Sequence, residues 1–165
     1  MKKIIISEKQ EEISGFSHGL IRDHKEISRH IQKLRQKRKG LPNINLIDKL
    51  KWFIERHIYV EEKALFSLFD KDNISIDIDK ILKDHDKILQ VLEEIIKTKE
   101  TLEMEKGEKL EELMTSHFDF EKQQLYEKIG NLLGQDKLDQ FVSVINQPVE
   151  LGFYPLKKLR NFHGY

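Results

Sequence analysis

Two histidine–glutamate pairs are the residues of this 165-residue chain whose spacing most directly suggests chemistry. His57 is followed four positions later by Glu61, and His117 is followed four positions later by Glu121. Residues four apart lie one turn apart on the same face of an α-helix, so each pair presents an imidazole and a carboxylate together. Because each pair falls within an apolar helical stripe, we expect both pairs to point inward.

Two further histidines, His24 and His85, interrupt apolar stripes without a glutamate partner. His24 lies four residues after Leu20 and three before Ile27. His85 lies three residues after a leucine and three before an isoleucine. These spacings are those of one helical face, so we expect both imidazoles to face the same interior as the two pairs.

A metal site is the simplest way to accommodate this set of side chains. Burying a carboxylate without a positive partner costs several kcal/mol even after relaxation. The lysines and arginines of these segments lie mostly off the apolar stripes, so they do not supply that partner. Imidazole nitrogens and carboxylate oxygens are ligands for first-row transition metals. Four nitrogens with two carboxylates able to bridge suit a pair of irons.

Four long amphipathic helices carry these residues, because apolar side chains recur at helical spacings over four segments. The first helix is expected at about 8–39 and the second from Asn43 or Asn45 to about Phe69. The third is expected from Asp77 or Asp79 to about 104, and the fourth, after a turn around Lys106 and Gly107, to about Leu132. Short connections between long helices favour antiparallel neighbours. The predicted fold class is therefore all-α, an up-down-up-down four-helix bundle.

The chain beyond Gln135 is expected to form a short fifth helix of about ten residues, which Pro148 ends. The bundle and this helix would make one domain over residues 1–147, followed by a C-terminal tail over 148–165. Apolar residues in the tail favour a segment docked on the bundle. A tail that binds a protein partner is the alternative.

The composition excludes several classes of site and partner. With no cysteine, the chain has no disulfide, thiolate zinc site, iron–sulfur ligation or cysteine nucleophile. The 29 basic and 29 acidic side chains cancel, which argues against a nucleic-acid or anionic-membrane partner. No apolar run approaches the roughly 20 residues of a membrane span or the roughly 7–15 residues of a signal-peptide core. We expect a cytoplasmic protein.

The order of these residues along the chain resembles that of the hemerythrin-like (HHE cation-binding) domains. Those domains carry a histidine on the first helix, His-x-x-x-Glu on the second, a histidine on the third and His-x-x-x-Glu on the fourth, and the resemblance covers about residues 13–132. It implies a cofactor of two non-haem irons of the Fe–O–Fe type, for which zinc or manganese can substitute. It also implies terminal iron ligands at His24, His57, His85 and His117, and bridging carboxylates at Glu61 and Glu121.

The chain departs from the oxygen-carrying members of that family at two positions. Those proteins have a second histidine on the third helix, where Ile81 and Leu89 stand at the corresponding spacings from His85. They also have an aspartate five residues after the fourth helix's histidine, where this chain has Lys122. One histidine fewer leaves more open positions at the metals. This favours reactivity or sensing over reversible oxygen transport.

Three further histidines are expected at the surface: His18, His30 and His163. His18 and His30 lie six residues on either side of His24, which rotates them about 120° away from its face. Glu62, next to Glu61, is a candidate either for the rim of the site or for a residue that supports one of the ligands. Phe118 or Phe120 can wall the pocket, although core packing is the simpler account of both.

The sequence thus predicts a di-iron protein that binds, senses or reduces a small redox ligand, namely dioxygen, peroxide or nitric oxide. A protein that binds, stores or delivers iron without catalysis is the alternative. An interaction module with a vestigial site is a third possibility.

Overall fold

The computed structural model describes residues 8–36, 44–69, 75–98 and 104–145, and every structural statement below concerns these ranges. The α-helices are α1 (Glu8–Gln36), α2 (Ile44–Tyr59), α3 (Ile78–Lys97), α4 (Met104–Glu121), α5 (Glu127–Leu132) and α6 (Gln135–Ile145). A π-helical segment, Val60–Leu65, and a 3-10 turn, Phe66–Leu68, continue α2, and a second π-helical segment, Lys122–Tyr126, joins α4 to α5. The described ranges contain no strand, which confirms the all-α class.

The long helices run antiparallel to their neighbours in the bundle. The contacts that fix their directions are Asp23–Arg56 and His30–Phe53 between α1 and α2, Arg35–Glu108 and His24–Phe118 between α1 and α4, and Lys80–Phe120 and Thr98–Lys106 between α3 and α4. In each pair of contacts the residue number rises along one helix while it falls along the other. The predicted four-helix bundle is therefore confirmed.

Buried apolar side chains form two clusters, one on either side of a polar layer. The α6 cluster contains Leu20, Val60, Leu65, Phe66, Ile81, Leu125, Ile129, Leu138 and Phe141, and the distal cluster contains Ile27, Ile31, Ile47, Leu50, Ile54, Ile88, Leu92, Leu110 and Met114. His24 lies between Leu20 and Ile27, and His85 lies between Ile81 and Ile88. The histidines thus occupy a layer closed above and below by hydrocarbon.

The boundaries of the third and fourth helices differ in part from those predicted. Asp77 caps α3 as one of the two predicted residues, because its side chain accepts a hydrogen bond from the backbone N–H of Lys80 at 2.9 Å. The helix ends at Lys97, short of the predicted 104. The turn predicted around Gly107 is wrong, since Gly107 lies inside α4. An added Cβ there would meet the side chain of Arg35 on α1 at 3.5 Å, an ordinary van der Waals contact.

Each π-helical segment begins beside one of the two inward glutamates. Glu61 is the second residue of the first segment, and the second segment starts immediately after Glu121. A π-helical segment closes i→i+5 hydrogen bonds, and such segments are frequent at functional sites. The two irregularities therefore lie at the level of the polar layer.

The predicted fifth helix is confirmed as α6, which packs against α1 and the first π-helical segment. Leu138 and Phe141 insert into the α6 cluster and close that end of the bundle. The tail over 148–165 lies outside the described residues, so its docking stays a prediction. No helix in the described ranges is long and apolar enough to cross a membrane.

Candidate metal centre

The six side chains predicted from the sequence come together in the polar layer. Five of them are buried to within 1% of complete exclusion from solvent: His57, Glu61, His85, His117 and Glu121. The sixth, His24, keeps 11% of its side chain exposed. The first histidine is therefore the part of the cluster nearest to solvent.

The donor atoms fall into two groups that share both glutamates. One group consists of His24, His57, Glu61 and Glu121, and the other consists of Glu61, His85, His117 and Glu121. Within each group the donor atoms all lie within 4.8 Å of one another. Each group offers two imidazole nitrogens and two carboxylate oxygens, a donor set that suits a first-row transition metal.

Glu121 reaches both groups through its two different oxygens. Oε1 lies 2.8 Å from Nε2 of His117, whereas Oε2 lies 3.2 Å from Nε2 of His24 and 3.6 Å from Nε2 of His57. A carboxylate held in this way can give one oxygen to each of two cations.

Glu61 lies between the same two histidine pairs. Its Oε2 lies 3.3 Å from Nε2 of His85 and 3.7 Å from Nε2 of His57. The two glutamates together therefore connect all four imidazoles.

Several polar atoms in this layer are buried and make no hydrogen bond of good geometry with the described residues, although some of them lie close to one another. They include Nε2 of His57, Oε2 of Glu61 and Oε1 of Glu121. An unsatisfied buried polar group costs about 1–3 kcal/mol, and a charged group costs more. These atoms are also the ones that a cation between the histidines and glutamates would contact. The residues present therefore fit a metal pair.

Burial and mutual charge perturb these groups strongly in the metal-free protein. Burial lowers the pKa of His24 to about 4. Burial also opposes the charge on His85, but the adjacent carboxylates of Glu61 and Glu62 raise its pKa to about 10. Burial and the charge of Glu121 raise the pKa of Glu61 to about 7. Glu61 thus attracts a proton in a place where a cation can replace it.

Glu62 fixes the orientation of His85 from outside the cluster. Its Oε1 lies 2.8 Å from Nδ1 of His85, so the imidazole presents Nε2 to the other donors. Such partners set the tautomer and basicity of a metal-ligating histidine. His117 has a looser counterpart, because its Nδ1 lies 3.9 Å from Asp84. Of the two places predicted for Glu62, the structure therefore shows the one that supports a donor of the site.

Phe118 forms a wall of the site on the side of His24. Its ring stacks on the imidazole of His24 with 3.6 Å between centroids and 14° between planes. It also meets the ring of His57 edge-on at 5.6 Å. Phe120 instead packs against the α6 cluster, so only one of the two phenylalanines walls the donors.

Tyr126 enters the site although the sequence did not single it out. Its hydroxyl oxygen lies 2.9 Å from Nε2 of His24, 3.1 Å from Oε1 of Glu61 and 3.2 Å from Oε2 of Glu121. Tyr126 is five residues after Glu121, a spacing that a regular α-helix turns away from the same face. The π-helical segment between them brings the two side chains together. The sequence carried no signal of that segment.

The surface position predicted for His30 is wrong, because only 4% of this residue is exposed. Asp23, Ile27, His30 and Leu34 form a second buried stripe of α1. In that stripe His30 packs against Phe53 of α2, with 5.1 Å between ring centroids. Its Nδ1 lies 2.7 Å from the backbone oxygen of Glu26 and donates to it. The side chain of His18 and all of His163 lie outside the described part of the chain.

An ion pair adjoins the site where α1 meets α2. Nη1 of Arg56 donates to both carboxylate oxygens of Asp23 at 2.6 Å. Asp23 directly precedes His24, and Arg56 directly precedes His57. The pair therefore holds together the two helices that carry one histidine pair.

Comparisons with known proteins agree with this arrangement at the level of the family. Neither the comparison with curated proteins nor that with solved structures gave a match. The family model of the Hemerythrin HHE cation binding domain matches residues 15–129, a range that contains all six donor side chains. Because this match covers most of the 165 residues, the chain belongs to the hemerythrin HHE cation-binding domain family.

Proposed function

We propose that the protein holds two non-haem irons and uses them to bind, sense or reduce a small redox ligand, namely dioxygen, peroxide or nitric oxide. The observation that carries the proposal is the pair of four-donor groups that share Glu61 and Glu121. Shared carboxylates favour two cations close together over two independent sites. Membership of a cation-binding family supports the same conclusion.

Iron is the metal that fits both the donors and the proposed activity. His24 and His57 would hold one iron, His85 and His117 would hold the other, and the two glutamates would bridge them. Zinc and manganese accept the same donors, but iron supplies one-electron redox chemistry and affinity for dioxygen and nitric oxide.

The protein would position the metal ligands, exclude water from the site and leave one side open to a small ligand. The α6 cluster and the distal cluster exclude water from two sides of the polar layer. Glu62 fixes the imidazole of His85, and Phe118 covers the imidazole of His24. Because His24 is the partly exposed donor, a small ligand would approach from its side.

Metal analysis and spectroscopy of the intact protein test this proposal. Protein purified without chelator should contain about two irons per chain and show oxo-di-iron charge-transfer bands in the near ultraviolet. Reduction should remove these bands, and the reduced protein, kept free of air until mixing, should gain new absorption when dioxygen, peroxide or nitric oxide is added. A reduced protein whose spectrum responds to none of the three ligands would contradict the proposed reactivity.

A double substitution tests the ligand assignment separately. His117→Ala combined with Glu121→Ala should lower the iron content to about one ion per chain or less, because Glu121 belongs to both groups. The control is Glu112→Ala combined with Ser116→Ala, which alters exposed residues of the same helix. Two irons retained in the first variant would show that the assignment is wrong.

Iron storage or delivery without catalysis is the second candidate, and the exposure of His24 favours it. An iron bound beside solvent exchanges more readily than one enclosed on every side. A protein partner bound through residues 148–165 would then receive or supply the metal. Rapid loss of iron to a weak chelator, together with inert charge-transfer bands, would favour this candidate over reactivity.

A further inference from the structure

Tyr126 places a phenol oxygen among the donors of only one iron. The oxygen lies 2.9 Å from Nε2 of His24, 3.1 Å from Oε1 of Glu61 and 3.2 Å from Oε2 of Glu121. Two donors at right angles, each about 2.1 Å from a cation, are about 3 Å apart. The three distances are therefore those expected between neighbouring ligands of one six-coordinate metal.

Hydrogen bonding alone does not account for this position. A tyrosine hydroxyl carries one proton and can donate to only one acceptor at a time. Here the oxygen meets one imidazole and two carboxylates, and only 6% of Tyr126 is exposed. When both glutamates are ionised, at least one carboxylate contact therefore lacks a proton between its oxygens. A cation among the four atoms would satisfy all of them together.

Packing does not require a hydroxyl at this place in the fold. Tyr126 lies five residues after Glu121, and Phe66 lies five residues after Glu61. Both aromatic residues end or follow a π-helical segment, and both are buried in the α6 cluster. Phe66 shows that a plain phenyl ring fills such a position. The oxygen of Tyr126 is thus the feature that distinguishes the two irons.

We infer that Tyr126 is a ligand of the iron held by His24 and His57, to which it binds through its phenol oxygen. The inference rests on the proposed di-iron site. When the oxygen binds, its proton leaves to solvent, and neither the iron nor the ring changes oxidation state. The two irons would then differ, because the iron at His24 and His57 has a tyrosine ligand and the iron at His85 and His117 has none.

Visible absorption of the ferric protein tests the inference, because a tyrosine oxygen bound to ferric iron gives a charge-transfer band there. The intact wild-type chain should show this band, and Tyr126→Phe should lose it completely while it retains two irons. Tyr59→Phe is the control, because it removes the hydroxyl of another tyrosine that packs against the α6 cluster. That variant should keep the band.

Resonance Raman spectroscopy of the wild-type protein removes any dependence on the folding of a variant. Excitation within the band should enhance tyrosine ring vibrations, and these should shift when the protein is made with ring-deuterated tyrosine. Two irons without the band, or a band that persists in Tyr126→Phe, would overturn the tyrosine ligand alone. A wild-type protein that takes up no iron would overturn the di-iron proposal and this inference with it.

Discussion

Glu62 makes the best-defined contact between a donor and the surrounding protein. Its carboxylate lies 2.8 Å from Nδ1 of His85 and keeps 11% of its side chain exposed. A charged acceptor at this place raises the basicity of the opposite nitrogen, which faces the other candidate ligands. Metal binding at His85, as proposed, would therefore depend on a residue outside the two donor groups.

Glu62→Gln should weaken metal binding by about 10–100-fold, because it removes the negative charge behind His85 and leaves a weaker acceptor. Competition with a chelator of known affinity measures this change, with manganese as the test metal. Glu112→Gln, which changes an exposed carboxylate of α4, is the matched control and should leave the affinity unchanged. Equal affinities of Glu62→Gln and wild type would refute this role for Glu62.

The ion pair of Asp23 and Arg56 is a second contact between single residues, and it affects the stability of the fold. The side chains of the two residues are 6% and 11% exposed, and the guanidinium also lies 5.8 Å from the ring of Trp52. A pair so enclosed matters chiefly because the loss of one partner leaves the other charge without compensation.

Asp23→Asn should lower the free energy of unfolding by about 2–3 kcal/mol, somewhat less than the ~3–5 kcal/mol for a fully buried pair. Adding Arg56→Gln to Asp23→Asn should cost little more, since the stranded charge is then gone. Urea unfolding of the metal-free single and double variants measures the coupling. Strictly additive losses would show that the two side chains do not act as a pair.

At the scale of the elements, the π-helical segment Lys122–Tyr126 sets the register between Glu121 and Tyr126. It contributes one residue more than a regular helix needs over the same length. If that residue is removed, Tyr126 becomes the fourth residue after Glu121, which still faces the same way in an α-helix. The π-helical segment can therefore lose one residue without turning Tyr126 away from Glu121, whereas the loss of one residue from α4 would rotate its side chains.

Deletion of Gln123, an exposed residue of this segment, should leave a folded bundle with about two irons. Deletion of Thr115, an exposed residue within α4, should abolish iron binding, because it rotates the chain on one side by about 100° against the other. Circular dichroism and iron content compare the two deletions. A similar loss of helix and iron in both variants would show that the segment cannot accommodate the deletion.

The sequence predicts the helices and the convergence of the six polar side chains well because they obey one period. His24, His57, His85 and His117 each replace an apolar residue in a regular stripe, and a stripe of this kind identifies the buried face. Tyr126 breaks that rule, since a residue five positions after Glu121 lies about 140° away in a regular helix.

The other differences have tertiary causes. His30 is buried because α1 packs against α2 as well as the centre of the bundle, a breadth of contact that one stripe does not reveal. Gly107 lies within α4, beside the side chain of Arg35 from the neighbouring helix. At His30 the local signal for a surface residue gave way to contacts distant in sequence.

For the whole molecule, metal binding and folding are linked through the buried carboxylates. Glu61 and Glu121 are fully buried, and each keeps an oxygen without a hydrogen-bond partner. The metal-free fold therefore bears a cost that the unfolded chain avoids. A metal that binds only the folded state removes this cost and adds its own binding free energy.

Manganese should raise the midpoint of thermal unfolding, with about 1.4 kcal/mol of added stability per site for each tenfold rise in free metal above the dissociation constant. Differential scanning calorimetry at stepped manganese concentrations measures this increase. Magnesium is the control and should have little effect, because it prefers oxygen donors over imidazole. An unfolding midpoint independent of manganese would contradict the linkage.

The sharing of glutamates also determines how the two halves of the chain depend on each other. The hairpin of α1 and α2, with the π-helical segment that continues α2, carries His24, His57 and Glu61, and the hairpin of α3 and α4 carries His85, His117 and Glu121. With two cations bound as proposed, each hairpin would provide both imidazoles for one cation and would share its carboxylate with the other. If the chain is cut between Phe69 and Ser75, the two fragments should reassemble more tightly as manganese is added. The metal pair would then hold the two halves of the protein together reversibly.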